Sequence, residues 1–160
     1  KKWSVLRKLA FHYHPQTEDG LSMMLKQDSS DAGKKDAHAV LCALRKDKLQ
    51  LFDEVMSDEK NSADYLRAAM SSFFHRAQRQ ECEPVVQAYF NALPKVFKDR
   101  DRIFSRSMTR VMFPNSFLTA SLNYTIDLLP KVNNSSLKRS LLEHRDYLLK
   151  VTKIRNKFFA

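Results

Sequence analysis

The sequence predicts an all-α fold of about nine short helices, stacked as antiparallel pairs and without a sheet. Three observations predict it. Glycine is scarce: only Gly20 and Gly33 occur among 160 residues, against a usual share of roughly 7%. Sheets and phosphate-binding loops need glycine where the chain turns tightly, so the shortage also counts against most α/β enzymes. No segment alternates apolar and polar residues as a half-buried strand does; apolar residues recur at steps of three and four. Loops of a few residues join successive stretches, which makes consecutive helices antiparallel neighbours. The helices follow strictly in order and are too many and too short for a simple bundle. A curved stack of helix pairs, an α–α superhelix forming one domain over residues 1–160, is therefore expected.

The elements justify themselves in order. Residues 1–13 read as a helix with Trp3, Leu6, Leu9 or Ala10, and Tyr13 on one stripe, stopped by Pro15. No N-cap precedes Trp3 and residue 1 is not Met, which suggests a piece of a longer chain. Thr17-Glu18-Asp19 opens a second helix, with acids where the helix dipole favours them and Leu21, Met24 and Leu25 inward. Ser30 or Asp31 caps a third, carrying Ala37, Val40, Leu41 and Leu44. Lys46-Asp47 begins a fourth, with Leu49, Phe52, Val55 and Met56 inward. Ser57 to Asn61 is a polar loop, and Ser62 caps a fifth helix with Leu66, Ala69, Met70 and Phe73.

A loop over residues 76–80 leads into the densest apolar run of the chain, Tyr89 to Phe97. Val85, Val86, Tyr89, Phe90, Leu93 and Phe97 fall at helical spacing on both sides of Pro94. An interior proline costs about 3 kcal/mol, so a long helix is expected to end near Leu93, with a bend and a short continuation from Pro94. Asp99 to Met112 reads as the next helix, with Ile103, Phe104, Ser107, Met108 and Val111 inward, broken by Phe113-Pro114-Asn115-Ser116. Leu118, Leu122, Ile126 and Leu129 mark another, ended by Pro130. Asn133 to Ser136 cap a last helix to about Phe158, its inward face Leu137, Leu141, His144, Leu148 and Val151, with Asp146 and Lys150 as an i,i+4 pair.

Charge and chemistry narrow the function. The chain carries 28 basic and 18 acidic residues, a formal +10. Residues 81–160 hold 14 of the basic but only 7 of the acidic residues. Such an excess suits an anionic partner: nucleic acid, an acidic substrate, or the acidic remainder of a longer protein. No apolar run approaches the ~18–20 residues that span a bilayer, and no signal peptide opens the chain. Cys42 and Cys82 sit singly in apolar helical patterns and read as buried, reduced cysteines of a cytoplasmic protein. The metalloprotease, P-loop, dinucleotide and C-x-x-C motifs are all missing.

His12 and His14, two apart, point to different sides of a helix and cannot share a metal there. His38, His75 and His144 stand alone, and His144, on an apolar stripe, reads as a hydrogen-bonded core residue. Glu143-His144-Arg145-Asp146 diverge around their helix. Arg102, Arg106 and Arg110 line one helix at i, i+4 and i+8. A solvated face is the default for that row; a cavity wall that binds carboxylates is the alternative, because the guanidinium fork matches a carboxylate.

Several segments, in order, resemble a known family. They are Trp3-x-x-Leu6, Asp28-x-x-x-x-Gly33, Tyr65-Leu66-Arg67-Ala68, Tyr89-Phe90-x-Ala92-Leu93-Pro94-x-Val96-Phe97, Phe113-Pro114, and Leu141-Leu142-Glu143-x-Arg145-Asp146-x-Leu148. The series is similar to the C-terminal helical domain of the aminopeptidase N family of zinc metallopeptidases, in its bacterial form, over essentially all 160 residues. The chain departs from the pattern in its Lys and Phe content and in Ser72-Phe73-Phe74, where a glycine–aromatic pair is expected.

The resemblance implies a HEAT- or armadillo-like helical bowl that closes over an upstream catalytic domain and walls the peptide cavity. Zinc, its H-E-x-x-H site and the stretch that grips the substrate's amino terminus then lie upstream, and residues 1–160 hold no catalytic residue, metal ligand or cofactor. Its partners would be that catalytic domain and peptide substrates. Tyr65, Arg67, Arg106 and Arg110 are the candidates for facing the cavity. Phe73 and Phe74 are either pocket lining or core, with core the default for at least one. The rival readings are a basic helical module that binds nucleic acid and a protein–protein scaffold. Against the first, the aromatics sit at core spacing and do not interleave with a basic stripe.

Overall fold

Side-chain caps start four of the helices in the computed structural model, which describes residues 1–159. The Ser30 hydroxyl accepts from the Gly33 N–H, Asp47 from Gln50, Asp101 from Ile103 and Phe104, and the Asn134 side chain from Leu137. Each satisfies a backbone donor that a helix start leaves without a partner. They open α3 (Asp31–Leu44), α4 (Lys48–Ser57), α7 (Arg102–Val111) and α9 (Ser135–Phe159). The other helices are α1 (Lys2–Phe11), α2 (Thr17–Gln27), α5 (Ala63–Met70), α6 (Arg79–Asp99) and α8 (Leu118–Leu128), with short 3-10 turns at Arg76–Gln78 and Leu129–Lys131. The described residues contain no strand, and no helix among them is long and apolar enough to cross a membrane.

The helices pack as two rows. α1 lies against α3, α3 against α5, and α5 against α7. On the other side α4 packs on α6, α6 on α8, and α8 on α9, while α2 fills the corner between α1 and α3. Two apolar cores follow from this order. A small one joins α1, α2 and α3 through Leu6, Ala10, Phe11, Leu21, Met24, Ala37, Val40 and Ala43. A large one runs from Cys42 to Leu148 and includes Phe52, Phe73, Phe74, Tyr89, Phe90, Phe104, Phe113 and Phe117. Both Phe73 and Phe74 are thus core residues.

α6 corrects the expected break. It is one helix from Arg79 to Asp99 that contains both Pro84 and Pro94. It neither ends near Leu93 nor starts after a loop at residues 76–80, which are helical or in the 3-10 turn. Packing explains the override. Val85, Val86, Tyr89, Phe90, Leu93 and Val96 are buried on both sides of Pro94, whereas Pro94 itself is exposed. Burial of one such side chain gives ~1.5–3 kcal/mol, so the stripe outweighs one lost backbone hydrogen bond.

α1 is shorter than expected for a different reason. It ends at Phe11, before Pro15, in a motif where the His14 N–H reaches the Leu9 carbonyl and the Tyr13 N–H reaches Ala10. That places Tyr13 at φ 51, a position glycine usually takes. α7 likewise spans Arg102–Val111 and not Asp99 to Met112, because Asp101 is its cap.

Other expected inward residues face solvent. Leu25, Leu41, Leu49, Ile103, Val111 and Ile126 are all exposed, and Val151 is half-buried. Asp146 pairs with Arg145 at 2.9 Å. In their stead short polar residues are buried. The hydroxyls of Ser105, Ser121 and Thr125 donate to Val96, Pro114 and Ser121 carbonyls.

The end of α3 shows the same device on a larger scale. Lys48, 1% exposed, donates from Nζ to the Cys42 and Ala43 carbonyls at 2.9 and 3.2 Å. Gln78 Nε2 donates to Ala43 at 2.7 Å, and Ser72 donates to Ala39 at 2.8 Å. The Cys42 and Ala43 carbonyls, which the end of α3 leaves free, are thereby closed by side chains from later segments, and Ala39, a turn further in, takes a second donor. Cys42 and Cys82 are buried free thiols beside this joint, and burial raises the Cys42 thiol to about 11.

Candidate functional site

α7 is the most strongly two-faced helix of the chain. Phe104, Met108 and the small residues Ser105, Ser107 and Thr109 face inward, while Arg102, Arg106 and Arg110 are exposed. Four residues advance a helix about one turn, so the three guanidinium groups form a ridge along one line. Among the described residues, no carboxylate lies within ion-pair distance of any of the three.

Two depressions flank this ridge and share it. One, of about 600 Å³, lies between the end of α6, α7 and the first half of α9. Its far wall carries Arg100, Arg139, Ser140, Glu143 and His144. The other, of about 660 Å³, lies between α7 and α5, with Arg67 on its far side and Ile103, Ser107 and Val111 along its floor.

The surrounding charges are held to different degrees. Arg100 is fixed: its guanidinium donates to the Met56 and Asp58 carbonyls at 3.0 and 2.7 Å and stacks over Phe104 at 4.0 Å. Arg139 Nε donates to Glu143 at 3.1 Å, an exposed i,i+4 pair that contributes little to stability. Arg67 pairs loosely with Asp64 at 3.8 Å. His144 Nε2 bonds the Thr109 carbonyl at 2.8 Å, and its ring stacks on Phe113 at a 3.6 Å centroid distance. Burial lowers the imidazole's proton affinity, so it is a neutral, hydrogen-bonded ring at the groove edge.

Of the sequence candidates, Arg67, Arg106 and Arg110 meet on one open face of α5 and α7. Tyr65 does not join them. It is two residues from Arg67, so the two side chains leave α5 on different sides. Its ring instead lies 5.5 Å from that of His38 on α3. Arg100, Arg139, His144, Ile103 and Val111 were not among the candidates. The sequence reading expects Ile103 and Val111 inward and His144 hydrogen-bonded in the core, and gives Arg100 and Arg139 no signal.

The histidines, cysteines and acids do not converge: among the described residues no three are grouped to hold a metal ion. His12 and His75 approach to 6.0 Å between ring centroids, and His75 stacks on Phe11 at 4.0 Å, an aromatic contact and not a ligand set. The chemical capacity of the ridge is anion recognition by exposed forks. The chain matches no family model, and no curated protein matches it.

Proposed function

We propose that this chain is a non-catalytic helical domain of a zinc aminopeptidase of the aminopeptidase N type, whose α7 ridge forms part of the wall of the peptide cavity. The observation that carries the reading is the convergence of Arg67, Arg106 and Arg110 on one open face with no acid paired to the latter two among the described residues. In this reading the two rows of helices make a HEAT- or armadillo-like bowl over the catalytic domain. Zinc and its activated water belong to the upstream domain; no chemical step is assigned to residues here. What the chain contributes is a surface that holds carboxylates and excludes water when the bowl closes.

The aromatic segments of the resemblance support a structural role for them. Tyr89 and Phe90 meet Phe113 edge-on at 6.0 and 5.8 Å, so the two most distinctive motifs form one buried cluster. The same burial argues against the rival nucleic-acid module, which needs such rings exposed for stacking.

Two measurements test the reading. The coding sequence upstream of Lys1 should contain H-E-x-x-H; its absence would sink the assignment. In the intact enzyme, replacing Arg106 and Arg110 by Ala should lower kcat/KM for peptides about tenfold and leave an aminoacyl-arylamide unaffected. A salt-dependent gel shift with short RNA by the wild-type chain would favour the nucleic-acid module instead.

A further inference from the structure

We infer that the α7 ridge is a ruler for acidic peptides, binding extended chains that carry carboxylates at alternate positions. The inference rests on the peptide-facing reading and deepens it by naming the substrate class. Arg102, Arg106 and Arg110 are exposed and repeat every four residues. On a helix that is a step of about 6 Å. An extended peptide places every second side chain on one side, a step of about 6.6 Å. Two steps along the ridge and two along the peptide thus differ by little more than 1 Å, which long arginine side chains absorb.

The floor beside the ridge repeats in the same register. Ile103, Ser107 and Val111 run parallel to the arginines, with Ile103 and Val111 56% and 38% exposed. A polynucleotide backbone also carries charge at comparable steps, but two exposed aliphatics offer it nothing. Beside half-buried Phe97 and His144, the described residues lining the two depressions include no aromatic ring on which a base can stack. A single terminal carboxylate would engage one fork and leave the other two idle.

The test uses the chain as it stands, with fluorescein-labelled hexapeptides followed by anisotropy at low salt. A peptide alternating glutamate and serine is expected to bind about tenfold tighter than its glutamine counterpart, a difference of the order set by charged-pair contacts. It should also bind about threefold tighter than an isomer with its three glutamates contiguous, which presents only two of them on one side. Arg106→Glu should remove both preferences, while Lys95→Glu, the same charge change at an exposed site on α6, should leave Kd within about twofold.

Equal binding of the alternating and contiguous peptides would overturn the proposal. So would equal effects of the two charge reversals, or tighter binding of a hexathymidylate than of any peptide. These outcomes are separable from failure of the aminopeptidase reading, which is decided by the upstream motif and not by peptide affinity.

Discussion

The two apolar cores are built from different material. The small core of α1, α2 and α3 has three alanines, two leucines, one valine, one methionine and one phenylalanine. Its helices meet through small side chains, and glycine lets them approach further. A Cβ on Gly20 would stand 2.8 Å from Leu6 Cδ1, and one on Gly33 2.6 Å from the Asp28 backbone oxygen. The large core contains a cluster of edge-to-face aromatic rings centred on Tyr89, which touches Phe74, Phe90 and Phe113. Close approach of alanines gives a tight but shallow core; interlocked rings give one whose contacts outnumber any single loss. That difference explains why α6 accommodates two prolines inside the large core, while each core carries one non-glycine residue at positive φ, Tyr13 at 51 and Phe74 at 57.

The largest expected effect breaks the large core at its centre. Tyr89→Ala removes a fully buried ring and its hydrogen bond to the Met108 carbonyl, and should cost about 3–5 kcal/mol by urea unfolding. Leu21→Ala, at the rim of the small core, should cost about 2 kcal/mol. Equal losses would mean that the two cores do not differ as described.

A smaller effect, opposite in sign, sharpens the account of α6. Pro94→Ala restores the N–H that reaches the Phe90 carbonyl, at some cost in unfolded-chain freedom, and should raise stability by about 1–2 kcal/mol. Thermal melting with unchanged helical content checks it; global unfolding would show that the proline shapes the packing.

The smallest effect lies at the joint between the cores. Burial pulls the Lys48 amine down to about 8 from its usual 10.5. Between those values the unfolded chain holds a proton that the folded chain has released, so stability rises with pH. The gain from pH 8 to 9 should be about 1 kcal/mol, and absent in Lys48→Met. Above pH 9 the Cys42 thiol, raised to about 11 by burial, opposes the trend, because there the folded chain holds the extra proton. A stability that falls between pH 8 and 9 would contradict the buried-amine assignment.

Much of this fold was legible because caps and apolar steps are local. Ser30, Asp47, Ser62 and Asn134 stand at the helix starts where their residue types placed them. Hydropathy misled where burial depends on a partner. Leu41 and Ile126 are apolar yet exposed, while Ser105, Thr125 and Lys48 are buried because helix carbonyls accept their protons. No propensity reveals that α6 survives its prolines; only the rings on both sides of Pro94 decide it. The arginine ridge was readable from its four-residue repeat, whereas the approach of Arg67 depends on α5 packing against α7. Tyr65 stands apart from Arg67 because neighbours in sequence diverge on a helix.

The joint at the end of α3 also bears on the order in which the chain can be completed. Every apolar residue of the small core lies within the first 44 positions. The groups that close α3 arrive later, at Lys48, Ser72 and Gln78. A chain made in order can therefore collect the first three helices early and close the Cys42 and Ala43 carbonyls with Lys48 soon after, but the second donor on Ala43 waits for Gln78, 35 residues further on. A cut after Asp47 would keep the whole apolar content of that region and still leave it unfinished. The two halves share a boundary that truncation cannot respect.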